Sequence, residues 1–205
     1  MTTRHSMAAA TWSVLVVLTA ASAAAQSTIG GAKGQPWIMV GGASTTLLSD
    51  CPDCDADGNY RHAASFVANA GVSLNERAEI GAEVTWVPST AITGDHIRTT
   101  FVMGGVQVRP WVRNGFSLKA MSGMAFVRNW VVDLSGGGDP APPFTSKAFA
   151  LGIGAGWEWR LRNRLGVQVF GTQNVAALGD LQTSQRRVEN VVGNFWSIGA
   201  GIVFR

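Results

Sequence analysis

Between Ser146 and Arg164 the sequence SKAFALGIGAGWEWRLRNR alternates strictly in character. Phe149, Leu151, Ile153, Ala155, Trp157, Trp159 and Leu161 fall on one face of an extended chain. Ala150, Gly152, Gly154, Gly156, Glu158 and Arg160 fall on the other. Successive side chains of a β-strand point to opposite sides, so a period of two predicts a strand. The same beat runs from Ala78 to Val87, where Ala78, Ile80, Ala82, Val84 and Trp86 oppose Glu79, Gly81, Glu83, Thr85 and Val87. It returns at Trp196, Ile198, Ala200, Ile202 and Phe204, opposed by Ser197, Gly199 and Gly201. Weaker versions cover roughly residues 37–47, 62–74, 97–108, 116–127 and 165–174, which makes eight candidate strands.

What these strands can build depends on composition and on the N-terminus. Hydrophobic residues make up 46% of the chain but charged residues only 14%, against about 25% charged in soluble domains. The N-terminus passes from a weakly basic piece at Arg4 and His5 through AAATWSVLVVLTA to ASAAAQ. That order predicts a secretory signal peptide over residues 1–25, with cleavage after Ala25 and one domain over 26–205. Its apolar core falls short of the roughly 20 residues of a membrane helix, and no later apolar run is longer. An exported chain of membrane-like composition without a spanning helix predicts a closed β-barrel, the other architecture that satisfies every backbone group in lipid. The expected fold is all-β: an eight-stranded antiparallel up-and-down transmembrane β-barrel in the bacterial outer membrane. The net charge of +3 falls to +2 when Arg4 leaves, too little to predict nucleic acid as a partner.

The connectors support this reading. SLNERAE, RPWVRNG and RLRNRLG are tight polar turns, while the segments near 48–61, 88–96, 129–146 and 176–193 are longer. Short turns at one end and long loops at the other are characteristic of outer-membrane barrels, with the short turns periplasmic. Aromatic girdles then follow from strand direction. Trp37, Trp111, Trp157, Trp159 and Phe204 fall at the periplasmic rim, and Trp86, Trp130 and Trp196 at the outer rim. A soluble lipocalin-type barrel would reverse the faces, but the polar faces here are mostly glycine, serine and threonine. Such faces suit the packed interior of a narrow barrel better than a water-exposed surface.

The signal segment, the eight alternating strands and FWSIGAGIVFR together resemble the outer-membrane β-barrel domain family, which includes the OmpA-like and OmpW-like small barrels. NAGVSLNERAEIGAEVTWV is similar to segments of bacterial members of this group. The resemblance covers nearly all of 26–205 and rests on pattern. It implies outer-membrane lipid, lipopolysaccharide and the barrel-insertion machinery as partners. Family members usually end on an aromatic residue, whereas here Arg205 follows Phe204.

The inward face carries Glu79, Glu83, Gln107, Arg109, Lys119, Glu158, Arg160 and Gln168. Isolated buried charges are very costly, so a network that plugs the barrel is expected. The alternative is a narrow porin-like conduit whose charges select small solutes, as in OmpW-like members. A third class, a lipid-modifying barrel enzyme, would need a nucleophile and base in mutual reach. His62 and His96 remain after signal removal, and Ser49 and Ser65 lie near His62, but no spacing is diagnostic. No enzyme activity and no obligatory cofactor are expected.

In SDCPDCDADGNYRH, Cys51 and Cys54 would have passed an oxidising periplasm, which predicts a disulfide bracing the first outer loop. Asp53, Asp55 and Asp57 open a D-x-D-x-D-G calcium pattern, but its twelfth position holds Ala64 instead of glutamate. Calcium therefore stands as a candidate ligand beside a plain acidic turn. DLSGGGDPAPPFTS, from Asp133 to Ser146, is too rich in glycine and proline to pack a core and is a candidate partner-binding loop.

Overall fold

The computed structural model describes residues 31–49, 61–92, 95–130, 144–162, 164–182 and 187–205. The predicted signal segment, Cys51, Cys54, Asp53, Asp55 and Asp57 lie outside these residues, as do the side chains of His96 and Trp130.

Eight strands follow one another: β1 (Pro36–Ser49), β2 (Arg61–Ser73), β3 (Ala78–Ile92), β4 (Asp95–Val108), β5 (Phe116–Trp130), β6 (Phe144–Arg162), β7 (Leu165–Gln182) and β8 (Arg187–Phe204). Each pairs antiparallel with the next, and β8 returns to β1 through Ile38↔Phe204 to Ser49↔Gly193, closing the barrel. Closure pairs the backbone of each strand with a neighbour on both sides and leaves no strand at an open sheet edge.

The strands outrun the apolar pattern at the long-connection end. The segments 88–96 and 176–193, expected as long loops, are largely strand: β3 reaches Ile92 against Asp95 of β4, and β7 reaches Gln182 against Arg187 of β8. Backbone pairing does not require apolar side chains, so polar sequence such as LGDLQ extends the wall. Bulges at Val87/Thr90 and Ala177/Gly179/Leu181 absorb the irregularity.

Side chains sort by parity. Ile38, Val40, Val84, Val102, Leu151, Ile153 and Ile198 are exposed on the outside, with Ile198 at 76%. A contiguous apolar outer surface of this extent needs a cover other than water. At the short-turn end Trp111, Phe116, Trp157 and Trp159 form a row of neighbouring rings 5.8–6.5 Å apart. At the opposite end Trp86 stacks on Phe66 at 5.5 Å. Trp196 and Phe204 are also exposed.

Trp37 departs from the expected girdle. It lies at the rim by position but is 7% exposed and packs inside with Met39, Val67, Phe170 and Val203. In β1, Ile38 and Val40 take the outer face, so parity turns Trp37 inward. Gly71 and Gly81 make the room: a Cβ on either would come within 2.9 and 3.1 Å of the indole Cζ2.

The lumen is packed. Near the long-connection end Phe101 and Phe195 meet edge to face at 4.9 Å among Met103, Met121, Val127 and several alanines. Inward glycines let the strands coil tightly around this filling. A Cβ on Gly105 would fall 2.1 Å from the Ala120 carbonyl oxygen and 2.8 Å from Met121 Cα. The outward Gly104 meets nothing closer than 3.9 Å. Gly105→Ala should therefore lower unfolding free energy in lipid vesicles by about 1–3 kcal/mol, as overpacking does, while Gly104→Ala leaves the urea midpoint unchanged. Equal midpoints for both variants would contradict this account of the wall.

Candidate functional site

Parity and strand ends bring charged residues together inside the short-turn end. Glu79 is the second residue of β3, Arg109 follows β4, Glu158 lies near the end of β6 and Arg205 follows β8. Arg109 Nη1 lies 2.6 Å from Glu79 Oε1, and its Nη2 donates to Glu158 Oε2 at 3.0 Å. Arg205 is bidentate on Glu158, donating from Nε at 3.0 Å and Nη2 at 2.7 Å, while its Nη1 donates to Glu79 Oε1. Ser73 Oγ donates to the same Glu79 oxygen at 3.2 Å. Bidentate guanidinium pairs are the strongest charge-assisted contacts available to protein side chains. The Arg205 guanidinium also lies 5.9 Å from the centre of the Trp37 ring, within cation–π range.

One level deeper, Glu83 pairs with Lys119, receives Asn69 Nδ2 at 3.1 Å and receives Thr85 Oγ1 at 3.2 Å. Lys119 Nζ lies 5.6 Å from the centre of the Phe170 ring. Gln107 and Gln168 are buried nearby, and Gln168 Nε2 donates to Ser117 Oγ at 3.4 Å. Arg160 is half-buried at the mouth and keeps a partner of its own. Two small cavities, both lined by Asn69, Gln107 and Lys119, each have room for about one water.

The charges balance. Three buried carboxylates, Glu79, Glu83 and Glu158, pair with three cations, Arg109, Lys119 and Arg205, so these six described side chains sum to zero, with the half-buried Arg160 beside them at the mouth. Each ion would cost several kcal/mol alone in a low-dielectric interior, and mutual pairing offsets that cost. The arrangement can hold strands β3, β4, β5, β6 and β8 in register and block a path for ions.

Arg205 is the member that sequence reading missed. Its signal was parity: with Trp196, Ile198, Ile202 and Phe204 outward, the next residue points inward. Asn69 and Ser73 were missed too, because β2 alternates only weakly.

A third polar group lies higher in the lumen. Thr45 Oγ1 is 2.7 Å from Ser65 Oγ and 2.8 Å from Ser197 Oγ, a buried hydroxyl cluster. Ser65 therefore faces inward, while the exposed His62 bonds Thr46 Oγ1 through Nδ1 at 2.9 Å. The two side chains lie on opposite faces of β2 and do not form a nucleophile–base pair.

No family model and no curated protein sequence matches the chain. Among solved structures it is similar to Neisserial surface protein A, at 15% identity with a TM-score of 0.57, covering 82% of this chain and 96% of that one. It is also similar to Ail, the attachment invasion locus protein of Yersinia pestis, solved with the heparin analogue sucrose octasulfate. That match has 14% identity and a TM-score of 0.57, covering 84% of this chain and 99% of the other. The barrel found here is thus the fold of the small eight-stranded outer-membrane β-barrel proteins.

Proposed function

We propose that the chain is an integral protein of the bacterial outer membrane, with a sealed lumen and a structural or surface-binding role carried by its outer connections. The observation that carries this reading is the neutral network of six buried charges across the lumen, capped by the Phe101–Phe195 cluster. A barrel of eight strands has room inside for packed side chains and little else. The apolar outer wall supports membrane insertion, with outer-membrane lipid and lipopolysaccharide as surroundings. Assembly by the barrel-insertion machinery follows from the same reading. The similar barrels are named as a surface protein and an attachment protein, which fits a role at the cell surface.

Two outcomes are expected. Ile153, 62% exposed, should face lipid, so Ile153→Arg should cost roughly 2–4 kcal/mol in vesicles if it sits near the midplane. An unchanged urea midpoint would argue against insertion. In a planar bilayer the wild-type barrel should be electrically silent, and Arg205→Ala or Arg109→Ala should produce noisy openings. Steady wild-type steps whose size changes in Glu83→Ala and Arg109→Ala would instead make the lumen a conduit.

A further inference from the structure

Pairing stops short at two places in the wall where both strands of the pair run on. β2 and β3 pair from Ser73↔Glu79 to Phe66↔Trp86, yet β2 extends to Arg61 and β3 to Ile92. β6 and β7 pair from Arg162↔Leu165 to Ala150↔Ala176, yet β6 extends to Phe144 and β7 to Gln182. Beyond these points each strand keeps its other neighbour: β2 lies on β1, β3 on β4, β6 on β5 and β7 on β8. The two seams are four strands apart, so they face each other across the ring. At the long-connection end the wall is therefore two sheets, β3–β4–β5–β6 and β7–β8–β1–β2, the second joined in its middle by Thr45↔Ser197 to Ser49↔Gly193.

One side of each seam is built against zipping. β3 has Pro88, which has no N–H to donate, and a register shift between Val87 and Thr90. β7 has register shifts on both sides of Gly179. Proline and bulges keep sheet edges from pairing. Open edges are poorly tolerated in hydrocarbon, so in the inserted barrel both seams face headgroups and water.

The ties between the two groups of strands differ with height. Below the seams they are directional: Arg205 reaches from β8 to Glu79 and Glu158, and Asn69 of β2 donates to Glu83 of β3. Above them the sheets meet on an apolar cluster, with Phe101 of β4 edge to face on Phe195 of β8 and with Leu47 and Ala63 against the same side chains. Apolar contact is non-directional and survives sliding that would break a charged hydrogen bond. Within one sheet the Thr45, Ser65 and Ser197 hydroxyls bind β1, β2 and β8 together.

We propose that the two sheets are flaps that move as units about the Phe101–Phe195 contact, while the lower barrel, paired all round, stays shut. Such movement of packed units about a fixed base is a hinge. Opening uncovers Val87, Val127 and Ala148 of the apolar cluster from the outer side. It leaves the lumen sealed, because the network of Glu79, Arg109, Glu158 and Arg205 lies below both seams. The outer end thereby adapts its shape to a bound surface without opening a path for ions.

The test uses the full chain carrying Cys51→Ser and Cys54→Ser, folded into lipid nanodiscs and spin-labelled in pairs for pulsed electron paramagnetic resonance. Ala64→Cys with Lys147→Cys spans the two flaps, and Ala64→Cys with Ala177→Cys lies within one. Val72→Cys with Leu118→Cys joins the same two groups of strands below the seams. The cross-flap distance distribution should be about twofold or more broader than the other two, as hinged units require. Phe195→Ala should broaden it further and leave the lower pair unchanged. A cross-flap distribution as narrow as that within one flap overturns the proposal, as does equal broadening of all three pairs. The labelled wild-type distributions decide alone if Phe195→Ala does not fold.

Discussion

A charge inside a narrow barrel has little room for water to solvate it, so it must find its opposite among the residues that the strand register brings within reach. Glu79, Arg109, Glu158 and Arg205 meet that condition only when β3, β4, β6 and β8 stand in the order and offset observed. A slip of one residue in any of them would turn a charge into lipid and strand its partner. The network therefore specifies closure as much as it fills space. Glu83 and Lys119 add β5 to the same constraint. The apolar side chains above, from Met103 to Phe195, tolerate shape changes better than charges tolerate loss of a partner.

The outer wall and the lumen impose opposite demands on the same strands, and glycine reconciles them. Large apolar side chains outside and polar ones inside leave little room where strands coil, so Gly71, Gly81 and Gly105 face inward. The space opened at Gly71 and Gly81 admits Trp37, whose ring borders the Arg205 guanidinium. Packing and electrostatics thus meet at the short-turn end. At the far end the wall stays outwardly apolar up to Phe126 and Trp86, where the cations Arg98, Arg128 and Lys147 begin.

Much of this was legible in the sequence because a barrel strand writes its two environments in alternate letters. The strict alternation around Phe149–Leu161 and Ala78–Trp86 gave strand identity, inward face and candidate lumen charges together. Strand ends were less legible: β7 runs on through Leu181 and β8 starts at Arg187, because backbone pairing above the apolar belt leaves no period in hydropathy. Trp37 was misplaced because residue type suggests an interfacial ring, whereas its direction is set by parity with Ile38 and by glycines on β2 and β3, distant in sequence. By residue type Arg205 is only a departure from an aromatic ending. Its role depends on Glu79 and Glu158, 126 and 47 residues away, and no local pattern reports that separation.

The central claim is that the buried charges act as one neutral unit. A double-mutant cycle tests it most directly: urea unfolding in vesicles of wild type, Arg205→Ala, Glu158→Gln and the double variant. The account predicts that Arg205→Ala, leaving three carboxylates against two cations, costs about 3–5 kcal/mol. Removing Glu158's charge as well should restore part of that loss, with a coupling energy of about 1 kcal/mol or more. Strictly additive losses would contradict the account and reduce the network to independent contacts.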